Sequence, residues 1–194
     1  MEIYEIIRGI ILDPNKGFSD VLAYKRPLLL SFIIVITSLF CQNIAVLLQM
    51  DFNIGSSGIL ILSYFARLFF FLISWIILTS LYNFIASMQN KFGNLNHLFI
   101  LFGVSLLPMI FLPAAAIFSL VITKAGGILY TIFYLFILLW ILYLEIKSLK
   151  MIYNIETGKA VFIYVMPFIS VIIFVVISII ILFTSIVWLI SSNF

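Results

Sequence analysis

The sequence predicts an all-α, polytopic integral membrane protein: five transmembrane helices preceded by a short N-terminal amphipathic helix. Three observations carry this. Of 194 residues, 65% are hydrophobic and only 9% charged, whereas soluble domains run nearer half apolar and a quarter charged. Five separate apolar runs reach the roughly 20 residues that a helical span requires. The Lys and Arg residues are also distributed unevenly about the ends of those runs. A soluble fold of this length needs more polar surface than the chain possesses. In lipid the outer face of a helical bundle is free to be apolar, because each helix satisfies its own backbone.

The elements follow in order. Ile3, Ile6, Ile7, Ile10 and Ile11 recur at helical spacing, with Glu2, Glu5 and Arg8 opposite. Two readings of this stretch stay open: a helix lying in the membrane interface, or a cytoplasmic cap packed on the bundle. Asp13-Pro14 reads as an N-cap followed by proline at the first helical position, starting a second short helix with Phe18, Val21 and Leu22 on one face. Residues 1–27 thus form a cytoplasmic N-terminal amphipathic segment, and residues 28–194 a five-helix transmembrane domain. Its spans are predicted at about 28–48, 59–86, 98–122, 128–147 and 160–190. Between them lie a loop at 51–58, a polar break from Gln89 to Asn96, a tight turn at Lys124 with Gly126 and Gly127, and a helix break at Thr157-Gly158.

Charge sets the expected orientation. With the N-terminus inside, Arg8, Lys16, Lys25, Arg26, Lys91, Lys147, Lys150 and Lys159 are cytoplasmic, leaving only Lys124 and Arg67 outside. The rule counts Lys and Arg near span ends, so this orientation is preferred and the C-terminus falls outside. The N-terminal stretch has no basic start, long apolar core or small-residue cleavage site, so no cleaved signal peptide is expected.

The residues also exclude chemistry. The net charge of +3 is too small for a nucleic-acid footprint. The single cysteine, Cys41, forbids an internal disulfide and a Cys-based zinc site, and reads as a buried small hydrophobe. The single histidine, His97, excludes the two-histidine motif of metalloproteases and reads as an interfacial polar residue. Glu2, Glu5, Asp13, Asp20, Asp51, Glu145 and Glu156 form no close pair within a span. No catalytic, cofactor-binding or metal-ligating residue, and no cofactor, is expected; the chain reads as no enzyme.

Five residues stand out as structural or functional candidates: Arg67, Gly103, Ser105, Pro108 and Pro113. Arg67 lies inside an apolar run, which makes it a functional candidate by default. The structural reading is preferred: Arg67 snorkels at the outer boundary, or anchors the bundle by bonds to Gln42, Asn43 or Asp51. Pro108 and Pro113 each remove a backbone donor and clash one turn back. The third span is therefore expected to bend or break between about Leu106 and Pro113, packed against the second or fifth helix. Gly103 would admit a close neighbour and Ser105 would satisfy a freed carbonyl. Trp75, Trp140 and Trp188 do not suggest a cofactor pocket.

Three stretches together resemble one family. Ile11-Leu12-Asp13-Pro14 with Phe18 is similar to the lead-in to the first span of the Yip family (Ypt/Rab-interacting membrane proteins), in its short prokaryotic-type form. Phe102-Gly103-Val104-Ser105-Leu106-Leu107-Pro108 resembles that family's Gly-Tyr-Ser-x-x-Pro stretch, with Val104 where Tyr is usual. The loop ending Thr157-Gly158-Lys159-Ala160 resembles the entry to its last span. The Asp-Leu-x-Gly-Pro element and the long cytoplasmic N-terminal region of eukaryotic members are not matched. For those members the resemblance implies binding of small GTPases and shaping of early secretory membranes.

Two functional readings stay open. One is a non-catalytic membrane protein of the Yip type, organising membrane or partner proteins in a trafficking-like role. The alternative is a small-molecule transporter, or the substrate-binding membrane subunit of one, favoured by Arg67 with the Pro108–Pro113 break. A dry break belongs to the first; a wet one facing Arg67 belongs to the second. Expected partners are the lipid bilayer, a membrane or cytoplasmic protein and further copies of the chain, with no nucleic acid. The expected location is a membrane crossed several times, the cell membrane if the source is prokaryotic.

Overall fold

A computed structural model describes residues 3–49, 57–122 and 126–191. Asp51, Lys124 and residues 192–194 lie outside the described residues, as does the side chain of Trp188. Among the described residues every regular element is helical. Two short helices, α1 (Ile3–Leu12) and α2 (Pro14–Ala23), precede α3 (Pro27–Gln49), α4 (Ser57–Met88), α5 (Leu95–Val104), a 3-10 turn (Leu107–Phe111), α6 (Leu112–Val121), α7 (Gly126–Tyr153) and α8 (Thr157–Ser191). Five stretches are long and apolar enough to cross a membrane: Pro27–Gln49, Leu62–Met88, Leu95–Val121, Gly126–Tyr153 and Thr157–Ser185.

The N-terminal segment is a helical hairpin. Asp13 Oδ1 accepts from the Lys16 N–H at 3.4 Å, and Pro14 occupies the first turn of α2, where no donor is required. The two helices cross at Gly9 and Gly17, so closely that a methyl group on Gly17 would overlap the backbone of Gly9 and Ile10. Ile6, Ile10, Phe18 and Val21 are fully buried together with Leu30, Ile100, Leu101 and Leu144 of the spans. The hairpin is packed on the bundle, while Glu5, Arg8 and Lys16 stay exposed.

The third span, α5 with the turn and α6, is the axis of the bundle: 72% of its apolar window is buried, against 39% or less in each of the others. Residues 101–109 are buried without interruption. α3 packs along its length and α7 lies on another side, while α4 contacts its α5 end and α8 packs on α4 and α7. α4 stops where Asn90 takes φ 55°, and α7 where Asn154 takes φ 49°, the left-handed conformation that Asn tolerates better than most residues. The helix break before the last span is thus at Asn154, and Thr157-Gly158, expected to break the helix, opens α8 instead. α7 also runs through to Tyr153 with no interruption after Leu144.

Candidate functional site

The expected break is present. After Val104 the helix loosens, and residues 107–111 form the 3-10 turn before α6 resumes. Pro108 stands in the first turn of the 3-10 segment and Pro113 in the first turn of α6. Each proline therefore sits where a helix start needs no N–H. The Met109 carbonyl, deprived of its usual partner by Pro113, accepts from the Leu112 N–H in a tightened turn. The Leu106 carbonyl accepts from the Met109 N–H at 2.9 Å and from the Ser38 hydroxyl at 3.0 Å. Ser31 donates to the Ile100 carbonyl at 2.9 Å. Ser105 donates to the Leu101 carbonyl at 2.8 Å and lies 3.4 Å from the hydroxyl of Ser148, which donates to Leu144 at 2.9 Å. Ser31, Ser38, Ser105 and Ser148 are all fully buried.

Packing of the break against the second or fifth helix is corrected: the turn lies against α3 and α7, the first and fourth spans. The reason is chemical. The Leu106 carbonyl at the break takes a donor from outside the turn, and the buried Ser38 hydroxyl that supplies it is on α3, while Ser148 of α7 meets the Ser105 hydroxyl. The second span meets the third at Gly103. There a methyl group would overlap the Ser31 hydroxyl and the ring of Trp75, which stacks on Phe99 at 3.9 Å.

Arg67 is exposed on α4, and its Nη1 donates to Asn43 Oδ1 on α3 at 3.5 Å, the long limit of such a bond. Cys41 is half-buried rather than buried. His97 is exposed beside the α5 N-terminus, whose Asn94 cap accepts from the Asn96 and His97 N–H groups. Among the described residues no three His, Cys, Asp or Glu side chains converge as metal ligands would.

One feature of the site was not legible as such in the apolar runs. Glu145, half-buried on α7 inside a spanning segment, accepts from the Tyr164 hydroxyl of α8 at 2.6 Å. The Tyr164 ring stacks on the fully buried Tyr82 of α4 at 5.5 Å, and the Tyr153 hydroxyl donates to Asn83 Oδ1 at 2.8 Å. An acid, an amide and three tyrosines thus tie α4, α7 and α8 together near the hairpin end. The available signal was the lack of any Gly or Pro between Leu144 and Asn154, which carries helical periodicity past the acid.

Five apolar spans, a buried break held by serine hydroxyls and a docked hairpin define a multi-pass integral membrane protein. The model of the Yip1 domain family matches residues 8–190, nearly the whole chain, and the chain belongs to that family. It is not a known enzyme family. No curated protein and no solved structure matches the chain significantly.

Proposed function

We propose that this chain is a non-catalytic membrane organiser, holding partner proteins or lipids through its bundle and its α1–α2 face in a trafficking-like role. The observation that carries the reading is the work assigned to its buried polar groups. Ser38 satisfies the Leu106 carbonyl at the break, Ser31 the Ile100 carbonyl of α5, and Ser105 and Ser148, beside each other, carbonyls of their own helices. They lock the bundle's shape and leave the hairpin as a stable platform. The hairpin end is taken as cytoplasmic because Arg8, Lys16, Lys25, Arg26, Lys91, Lys147, Lys150 and Lys159 belong to it by helix order. In a prokaryotic cell the membrane would be the cell membrane. The proposed partners are the bilayer, a membrane or cytoplasmic protein, and further copies of this chain.

Transport is the competing reading, and Glu145 paired with Tyr164 inside the spans is the observation that favours it. A photo-crosslinking residue at Leu12, which is 69% exposed on the hairpin, separates the two. The organiser forms discrete protein adducts in native membranes, lost when Gly17→Leu unseats α1, and shows no saturable solute uptake in liposomes. Saturable uptake that disappears in Glu145→Gln would overturn the organiser in favour of transport.

A further inference from the structure

A groove of about 990 Å³ runs along the outside of the bundle between α6 and α7, walled by Phe111, Phe118, Phe133, Phe136, Trp140 and Tyr143. Phe111 stacks on Trp140 at 6.5 Å, and Phe118 meets Phe133 edge-on at 6.4 Å. Tyr143 is also a wall of a smaller cleft of about 180 Å³ between α7 and α8, which contains Lys147, Lys150 and Thr157. One helix therefore carries a continuous stripe from aromatic to cationic. From Phe133 to Lys147 the rise is roughly 21 Å at 1.5 Å per residue. One leaflet's hydrocarbon is roughly 15 Å, half of the ~30 Å core, and its headgroup layer adds roughly 5–7 Å, so the stripe matches an acyl chain with its headgroup at the end.

The two lysines are charged groups held by neutral partners. Lys147 Nζ donates to Asn15 Oδ1 at 3.3 Å and lies 5.9 Å from the centre of the Tyr143 ring. Lys150 Nζ donates to the Thr157 hydroxyl at 3.1 Å. Neither ammonium group meets an acidic side chain in these contacts, and both lie on the α7 face that continues past Tyr143, the residue shared by the groove and the smaller cleft. An apolar groove alone cannot select a lipid, since lipid tails are as apolar as its walls. The headgroup charge must supply any preference.

We propose that this groove and its two lysines form a binding site for an anionic membrane phospholipid, one acyl chain against the α6–α7 aromatics and the phosphate at Lys147 and Lys150. Occupancy would fasten the α7–α8 junction and the α2 hairpin, through Asn15, to the same lipid. The assignment requires only that the chain sit in a bilayer, and is independent of any protein partner.

The test uses the full chain in liposomes with photoactivatable phosphatidylglycerol or phosphatidylcholine of identical acyl chains, and maps the adducts by mass spectrometry. Phosphatidylglycerol is expected to label α6 and α7 in preference, by roughly fivefold for each lysine near the charged headgroup. The preference disappears in Lys147→Gln with Lys150→Gln and survives in Lys147→Arg with Lys150→Arg. It also collapses in the unaltered chain at 1 M salt, where the screening length is about 3 Å, a result that stands even if the glutamine pair misfolds. Equal labelling by the two lipids overturns the site. So does a preference indifferent to salt, or one lost equally in the arginine pair.

Discussion

Gly103 shows how a single residue couples sequence to packing. Its missing side chain is the space occupied by the Ser31 hydroxyl and the Trp75 ring, and Ser31 in turn reaches the Ile100 carbonyl. Gly103→Ala should cost about 1–3 kcal/mol by overpacking, read as a lowered thermal midpoint in detergent. Gly127, where an added methyl meets nothing within 4 Å, is the control: Gly127→Ala should be neutral or stabilising. Equal effects at the two positions would remove the close-packing account. The Glu145–Tyr164 pair makes a different claim. A buried hydrogen bond contributes about 0.5–3 kcal/mol, the upper end when its acceptor is charged, so Tyr164→Phe and Glu145→Ala should each destabilise. Their double variant should lose less than the sum, because the bond can be removed only once. Strict additivity in detergent unfolding would show that the two side chains do not interact. Gly103 and Ser105 were legible because a small residue and a hydroxyl beside a proline have few uses in a span. Glu145 was harder, since whether an acid lies within a membrane depends on where its helix ends.

At the scale of elements, the prolines predicted a break and the structure supplies its form. The sequence located the discontinuity between Leu106 and Pro113, and the 3-10 turn at Leu107–Phe111 falls there. Which neighbours cover it was not legible, because apolar spans carry almost no pairwise code: lipid and helix surface are similarly apolar. The hydroxyls of Ser31 and Ser38 decided that α3 takes the position. The hairpin is the other element whose placement is specific. Gly17 allows backbone contact with Gly9 and Ile10, and a side chain there must push α1 away. Gly17→Leu should therefore raise amide exchange across α1 while the third span remains protected. Faster exchange in residues 101–109 as well would mean that the hairpin supports the bundle rather than resting on it.

For the whole molecule the testable quantity is orientation. Single cysteines at Asn15 and Ser192, in a Cys41→Ser background, should react differently with a membrane-impermeant thiol reagent in intact cells. Ser192 should label and Asn15 should not, as expected if the cationic hairpin end is cytoplasmic. Labelling at Asn15 alone would invert the molecule. The sequence by itself determined the class, the number of spans, the break and the family resemblance. These depend on local properties: hydropathy summed over a helix length, the missing donor of proline, and short motifs along the chain. Only the tertiary structure decided that the third span is the axis, that α3 and α7 cover its break, and that Glu145 meets Tyr164 across nineteen residues of sequence. It also brought Asn15 to Lys147, 132 residues apart. The physical reason is that burial in a membrane does not follow hydrophobicity. Apolar side chains are equally at home facing lipid or the bundle, so the inside is chosen by small residues and by hydrogen bonds between distant elements, which no local window contains.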